Sequence, residues 1–144
     1  MSEFPGPQTI SGGEWEGWQS WTSDPFETRS GPFHFRKDEN GEIVCAFRAG
    51  PEHMNGAGFM HGGCMLTFAD FALFAIAQED LGHDNAVTLN LAGDFLGPIR
   101  AGELVEARGE VTRGSGKTIF VRGLVTGGGQ PALSYTGIIR RIAR

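Results

Sequence analysis

Residues 64–78 read CMLTFADFALFAIAQ, and the rest of the predicted fold is arranged around them. This stretch is rich in Ala, Leu and Met, contains neither proline nor glycine, and is longer than an ordinary strand, so it predicts a helix. Because the stretch is apolar on nearly every side, the helix should be buried on most of its surface. Gly82 is placed to end the helix, since glycine readily adopts the conformation that closes helices.

Extended segments flank this helix on both sides. Upstream, residues 33–36 and 43–48 are joined through Asn40-Gly41, a pair that predicts a type I′ hairpin turn. Downstream, glycine-containing links separate four further segments, Ala86–Leu96, Leu104–Val111, Thr118–Val125 and Ala132–Ile142. Links this short predict that consecutive strands are antiparallel neighbours. The complete order predicts an α+β fold, a long central helix wrapped by a curved antiparallel β-sheet.

The composition predicts a soluble, cytoplasmic protein. The chain has 144 residues and a net charge of −5, which argues against a nucleic-acid surface. Arg140, Arg141 and Arg144 form a short basic end that should be solvated. Cys45 and Cys64 do not make a disulfide framework, so a reducing compartment is expected. We expect neither a membrane span nor a signal peptide, because no apolar stretch has the required length and position.

The first 30 residues differ from the rest and are predicted to be an N-terminal extension, with residues 31–144 forming the domain. The extension is rich in Gly, Pro and Trp. Trp15, Trp18 and Trp21 are three residues apart, so one helical turn would place them on a single face. They are expected either to clip onto the main core or to wall part of a pocket.

A candidate for chemistry lies where the helix begins, at His61-Gly62-Gly63. The first N–H groups of a helix have no intrahelical partner and carry partial positive charge. Two glycines leave this backbone open to a ligand oxygen, so a carbonyl that becomes an oxyanion would be stabilised there. Taken alone, the same tripeptide also fits an ordinary tight turn.

Asp70 interrupts the apolar helix, where a carboxylate is costly to bury and a poor helix former. Desolvation should raise its pKa and make it a better general base. The structural alternative is a buried Asp that hydrogen-bonds a loop or Thr67. Asp70 lies eight residues after Gly62, about 12 Å along the axis and roughly 80° around it. One carbonyl cannot easily reach both groups of one chain, so a shared site predicts a two-fold dimer.

Asn55-Gly56-Ala57-Gly58-Phe59-Met60-His61-Gly62-Gly63, followed by Asp70, resembles the hotdog-fold thioesterases of the phenylacetic-acid-degradation (PaaI-like) type. The resemblance covers residues 40–142 and leaves residues 1–30 outside. It implies a hotdog fold in which the Gly62 N–H binds the thioester carbonyl. Asp70 acts as general base or nucleophile across the dimer, and Asn55 positions water or the carbonyl. A Ser or Thr on the strand after the helix assists, and Thr88 fits that place.

The same resemblance implies an acyl-CoA substrate, with coenzyme A as the leaving group and no separate cofactor. The phosphates of coenzyme A need cations, and Arg100, Arg113 and Lys117 are candidates at strand ends or loops. Each of the three also fits solvated surface charge. The acyl group is expected to be aryl or medium-chain. The assembly is expected to be a homodimer or a dimer of dimers.

The histidines are not predicted to bind a metal, and His61 is predicted to have a structural role. His61 is expected to orient its loop through hydrogen bonds to the backbone, although its position also leaves a catalytic role open. His34, His53 and His83 show no metal-ligand spacing, so no metal is predicted.

Three functions fit the sequence. The first is thioester hydrolysis by water that Asp70 activates, with Gly62 as the oxyanion donor. The second is a hotdog dehydratase acting on hydroxyacyl thioesters, in which His61 would work with Asp70. The third is a non-catalytic acyl-CoA-binding module, against which the retained Asp70 argues. The Asn55, Gly62 and Asp70 pattern matches the hydrolases better than the dehydratases.

Overall fold

An eight-stranded antiparallel sheet wraps one long helix in the computed structural model, which describes residues 5–142. The strands are β1 (Gln8–Thr9), β2 (Gln19–Ser20), β3 (His34–Lys37), β4 (Ile43–Arg48), β5 (Asn85–Phe95), β6 (Leu104–Arg113), β7 (Thr118–Gly127) and β8 (Gln130–Ile142). The helices are α1 (Pro25–Ser30), α2 (Gly62–Ile76) and α3 (Gln78–Leu81), with a 3₁₀ turn at Pro51–His53. This arrangement confirms the predicted α+β class.

The predicted central helix is α2, and its inward face forms the middle of the core. Phe68 and Phe71 are fully buried there. α2 begins two residues before the predicted start, because His61 caps it, and it ends at Ile76 rather than at residue 78. Gly82, with φ of 59°, then ends the short α3. Among the described residues, no helix has the length and apolar character needed to cross a membrane.

The order of the strands differs from the predicted one at β5. The sheet runs β1-β2-β3-β4-β6-β7-β8-β5, so β5 pairs with β8 at the sheet edge and not with β6. The link between β5 and β6, residues 96–103, crosses the ends of the intervening strands, and Ile99 packs against Gly127. Eight extended residues reach at most about 26 Å, whereas three strand spacings need only about 14 Å. A short link therefore does not require neighbouring strands.

The turn between β3 and β4 also corrects a prediction. The predicted type I′ turn at Asn40-Gly41 is wrong. Such a turn needs a positive φ at both central residues, and only Gly41, with φ of 79°, has one. Asp38 instead closes a longer loop. Its N–H donates to Glu42 O at 2.8 Å, and its Oδ1 accepts the N–H groups of Asn40 and Glu42 at 2.9 and 3.0 Å. The Asp side chain competes successfully for the donors of the turn.

The N-terminal segment adds β1 and β2 to the edge of the sheet, and its α1 then packs against α2. The three tryptophans do not share a helical turn, because residues 12–17 form turns and Trp18 is followed by β2. Trp21 packs on Phe35 and Phe71, with ring centroids 4.9 and 5.4 Å away. The segment therefore clips onto the core, as one interpretation predicted, and Trp21 also lines a cavity, as the other predicted.

The basic end of the chain is held in place at Arg141. Its guanidinium donates to the carbonyl oxygens of Asp80 and Gly114 at 2.6 and 3.1 Å, and it lies 3.3 Å from the Asp84 carboxylate. The prediction of a solvated end is therefore wrong for Arg141, since β8 carries this residue into a cluster of loops. Arg144 and the first four residues of the predicted extension lie outside the described residues.

Candidate active site

The entrance of α2 presents one backbone N–H group without a partner. His61 is the N-cap, and its Nδ1 accepts the Gly63 N–H at 2.9 Å. The Gly62 N–H makes no hydrogen bond with any described residue. The ring of Phe95 lies over Gly62, with Cζ only 3.1 Å from where a Cβ would stand. Of the two glycines predicted to face the substrate, Gly62 is therefore the one with a free donor.

The loop before α2 is organised by Asn55. Its Oδ1 accepts the N–H groups of Ala57 and Phe59 at 2.9 and 3.2 Å. The Met60 N–H donates to Ile99 O at 2.7 Å, which ties the loop to the link between β5 and β6. Within residues 5–142 the side-chain amide of Asn55 donates no hydrogen bond. That exposed NH₂ group can therefore bind a carbonyl or a water molecule.

Asp70 lies half-buried on α2 and is held from β5. Thr88 Oγ1 donates to Asp70 Oδ1 at 2.6 Å. The alternative partner, Thr67, instead donates to Gly63 O at 2.8 Å, so that interpretation is wrong. Burial raises the pKa of the Asp70 carboxyl, the Thr88 hydrogen bond opposes that rise, and the nearby Asp24 charge adds to it. The structure thus brings the two predicted residues, Asp70 and Thr88, into direct contact.

Two cavities meet at Asp70. The larger, of about 810 Å³, extends toward the end of α2 and has Trp21 and Phe74 in its wall. The smaller, of about 440 Å³, extends toward the start of the helix and has Leu66 and Leu91 in its wall. Asp70 therefore stands at the junction of two spaces, with apolar side chains on either side of the carboxylate.

Sequence reasoning missed three residues that line both cavities, Asp24, Phe26 and Glu27 of the N-terminal segment. Asp24 caps α1, and Pro25 occupies its first position. An Asp before Pro, with Glu two positions further on, is a recognisable helix start. This signal could have identified α1, although not its position beside Asp70.

Four phenylalanines in and just before α2 divide among three environments. Phe68 and Phe71 belong to the fully buried core. Phe59 is exposed beneath the Arg100 guanidinium, which lies 5.1 Å from its ring centroid. Phe74 lines the larger cavity.

The helix entrance and Asp70 face different spaces within one chain. Among the described residues, neither cavity at Asp70 has Asn55, His61 or Gly62 in its wall. This separation agrees with the distance of about 12 Å that eight helical residues impose between Gly62 and Asp70.

The three candidate phosphate ligands lie at two opposite ends of the sheet. Arg100 lies beside the Asn55 loop, just before β6 begins. Arg113 ends β6, and Lys117 immediately precedes β7, at the opposite end of the sheet. The ten residues of β6 span about 33 Å. Arg100 therefore belongs to the helix entrance, and Arg113 and Lys117 do not.

Comparison with known proteins gives consistent matches. The family model of the thioesterase superfamily matches residues 57–132. A Pseudomonas aeruginosa protein named for an inferred esterase activity is 31% identical over 125 residues, which are 85% of this chain and 93% of that protein. The acyl-coenzyme A thioesterase THEM4 of Xenopus laevis is 35% identical over 78 residues, 54% of this chain and 34% of THEM4. The phenylacetic acid degradation protein PaaI of Thermus thermophilus is 31% identical, with a TM-score of 0.70 over 83% of this chain and 100% of that one.

Proposed function

Because this chain belongs to the thioesterase superfamily, we propose that it hydrolyses an acyl-CoA thioester to a free acid and coenzyme A. The family match and the likeness to PaaI also confirm the predicted hotdog fold and the predicted PaaI-like resemblance. The named activity of THEM4 supports coenzyme A as the leaving group. Aryl and medium-chain acyl groups are the proposed substrates, because Trp21 and Phe74 wall the larger cavity beside Asp70.

The observation that carries this proposal is the Asp70 carboxylate at the junction of two cavities, oriented by Thr88 at 2.6 Å. With Oδ1 held by the hydroxyl, Oδ2 is left to accept a proton from water as the water attacks the carbonyl carbon. The raised pKa of Asp70 makes it a stronger base for this transfer. Direct attack by the carboxylate, which would give an acyl anhydride, is the alternative route from the same position.

The helix entrance supplies the donors that the oxyanion needs. The free Gly62 N–H would bind the carbonyl oxygen as its charge develops, and the Asn55 amide would add a second donor or hold the water. Loss of one such donor typically costs about 3–4 kcal/mol of barrier. Because these donors lie away from Asp70 in one chain, the proposed site combines the entrance of one chain with the carboxylate of another.

The edge strand β5 supports this assembly. Within residues 5–142, strand β5 has one free edge and exposes Val87, Leu89 and Phe95, each between 44% and 55%. A long, apolar, unpaired edge is a template for pairing with another strand. We therefore propose that two copies join along β5 to make a two-fold dimer.

Antiparallel pairing of two β5 strands would also bring the right groups together. Thr88, which contacts Asp70, and Phe95, which covers Gly62, are seven residues apart on β5, or about 23 Å. A two-fold axis near the middle of this interval places the Phe95 end of one strand opposite the Thr88 end of the other. The partner's Gly62 would then stand beside Asp70, which favours the shared site.

The dehydratase alternative depends on His61 acting with Asp70. His61 is engaged as the cap of α2, because its Nδ1 accepts the Gly63 N–H at 2.9 Å, so this nitrogen is not free to exchange a proton with a substrate. The binding-module alternative would require a half-buried carboxylate beside an anionic ligand, which weakens binding. Both observations favour hydrolysis.

A thiol-release assay on a panel of aryl, short-chain and medium-chain acyl-CoAs tests the proposed function. We expect free coenzyme A to appear with saturation kinetics, fastest for the aryl and medium-chain members. Hydration or dehydration without thiol release would support the dehydratase. Saturable binding without any reaction would support the binding module.

A further inference from the structure

The N-terminal segment places a second carboxyl group beside Asp70. Asp24 Oδ1 accepts the Glu27 N–H at 2.9 Å and so fixes the first turn of α1, which packs against α2. Glu27 and Asp70 line both the larger and the smaller cavity. The two carboxyl groups therefore face the same space from two different helices.

Glu27 and Asp70 differ in what stabilises their charge. Asp70 accepts the Thr88 hydroxyl, whereas the Glu27 carboxyl makes no hydrogen bond or ion pair within residues 5–142. Burial, together with the negative charges of Asp24 and Asp70, raises the pKa of Glu27 to about 8. Since Thr88 favours the ionised form of Asp70, a proton shared between the two groups belongs on Glu27.

The other titratable groups around these cavities do not reverse this assignment. They are Asp24, the N-cap of α1, and His83 and Asp84 in the link before β5. The Arg141 guanidinium lies 3.3 Å from Asp84, so its charge is directed at that carboxylate. Among the described residues, no Lys or Arg lines either cavity. Glu27 is therefore surrounded by acids, with no cation in the cavity walls to favour its ionisation.

We propose that Glu27 is a further catalytic residue, the general acid that protonates the departing thiolate. This proposal rests on the hydrolysis proposed above and supplies the proton that the leaving group needs. The pairing of an ionised Asp70 with a protonated Glu27 gives one base and one acid in a common cavity, which is the division of roles that general acid–base catalysis requires.

The reaction balances with these two groups alone. Water attacks the carbonyl carbon, a C–O bond forms, and one water proton passes to Asp70. The C–S bond then breaks, its electron pair goes to sulfur, and the Glu27 proton follows to give the free thiol. The proton on Asp70 returns to Glu27 across the cavity, directly or through water, so that both carboxyl groups are restored.

Leaving-group chemistry tests the proposal in the full chain. A Glu27→Gln variant keeps the size of the protonated carboxyl but cannot transfer a proton. With an acyl-CoA, kcat should fall about 100-fold. With the 4-nitrothiophenyl thioester of the same acid, whose thiolate departs without protonation, kcat should change little. Asp70→Asn should lower both rates, because both reactions need the base.

The outcomes separate the two proposals. Equal losses on the two substrates, or no loss on the acyl-CoA, would overturn the assignment of Glu27 while leaving the hydrolase intact. Thiol release from neither substrate by the wild-type protein would overturn the hydrolase and Glu27 with it. Glu16→Gln, the same change at an exposed position of the N-terminal segment, is the matched control and should alter neither rate.

The pH dependence of stability gives an independent measurement. The pKa of Glu27 is raised from 4.5 to about 8, so the folded state keeps a proton that the unfolded state has released between these values. Stability due to this group should therefore fall as pH rises from about 4.5 to 8. Glu27→Gln should remove that loss and melt several degrees above wild type at pH 8 but not at pH 4.5. An unchanged profile would place Glu27 in a solvated environment and overturn the proposal.

Discussion

At its first residue, α2 presents an open backbone and a free N–H, whereas eight residues later the same helix presents a half-buried carboxylate. The entrance is made of Gly62, His61 and the exposed Asn55 loop, where Gly62 has no side chain of its own to screen its N–H from a ligand. The middle is made of half-buried Asp70 with Thr88, beside cavity walls that carry apolar side chains as well as the carboxyl groups of Asp24 and Glu27. Donors of hydrogen bonds and a base for proton transfer need opposite environments, and one helix provides both at different depths.

This difference has a consequence for the assembly. An oxyanion donor works when it is accessible and preorganised, and a carboxylate base works when it is partly desolvated. Because one chain separates the two environments, a complete site needs the entrance and the middle of two helices. Substitutions in either half, and mixtures of the two kinds of variant, should therefore have different and measurable effects.

Replacement of Asp70 should abolish most turnover. Asp70→Asn keeps an oxygen that can accept the Thr88 hydroxyl but removes the base, so kcat should fall by about 10³-fold. Stability should not fall at neutral pH, since burial raises the pKa of Asp70 and makes the ionised form unfavourable there. Thiol-release kinetics and thermal melting measure the two effects. Near-normal turnover would show that Asp70 is not the base. The division of roles between the entrance and the middle of α2 would then be wrong.

Removal of one N–H group should test the entrance. Proline is favoured at the first position of a helix, and His61, with φ of −61° and ψ of 134°, has the conformation that precedes proline. Gly62→Pro should therefore keep the helix and delete only the free donor, lowering kcat by about 10²–10³-fold. The added carbons meet the ring of Phe95, which is 54% exposed and can turn aside.

Gly62→Ala is the matched control for this experiment. It makes the same contact with Phe95 but retains the N–H, so its kcat should lie much closer to wild type. Equal losses in the Pro and Ala variants would show that space at Gly62, and not its donor, limits the reaction.

Removal of the hydroxyl that holds Asp70 should shift the pH profile. The Thr88 hydrogen bond lowers the pKa of Asp70, so Thr88→Val should raise that pKa and move the acidic limb of the rate profile to higher pH. At neutral pH we expect a loss of about tenfold, the cost of one hydrogen bond to a charged group. Thr88→Ser retains the hydroxyl and should behave almost as wild type. An unshifted limb in Thr88→Val would mean that Asp70 does not control the profile.

Mixed dimers should test directly whether the entrance and the middle of two different chains work together. Asn55→Ala and Asp70→Ala chains, unfolded and refolded together, give mixed dimers in half of the pairs. Each mixed dimer holds one intact and one doubly damaged site, so activity should recover to roughly a quarter of wild type. Each variant refolded alone is the control and should stay inactive. Absence of recovery would place all the groups within one chain.

The helix and its flanking strands could be predicted because their signals are local. The apolar composition of residues 64–78 requires a buried helix, and the spacing of polar and apolar residues indicates the strands. Thr88 was predicted from the resemblance to the PaaI-like thioesterases, in which a Ser or Thr on the strand after the helix assists. The order of the strands could not be predicted from the sequence. β5 pairs with β8 because the link after β5 crosses over two strands, and the length of that link does not show the crossover.

The N-terminal segment shows a second limit. The three-residue spacing of its tryptophans is compatible with one helical turn, but it is equally compatible with the non-helical turns that the structure contains. The start of α1 at Asp24-Pro25 carries an ordinary cap signal. Which side chains of α1 lie next to Asp70 depends on packing between two segments that are more than forty residues apart in the chain. Sequence spacing therefore provided no reason to consider Glu27.

Local sequence was enough to specify the helix and the chemical groups along it, because both depend on residue type and on neighbours a few positions away. The separation of Gly62 from Asp70 was specified with them, since the rise per residue of a helix is fixed. Three further features required the folded chain: Thr88 holds Asp70, β5 is a free edge, and Glu27 faces the same cavity. These contacts join residues distant in the chain, and they form only when apolar surfaces from separate elements are buried together.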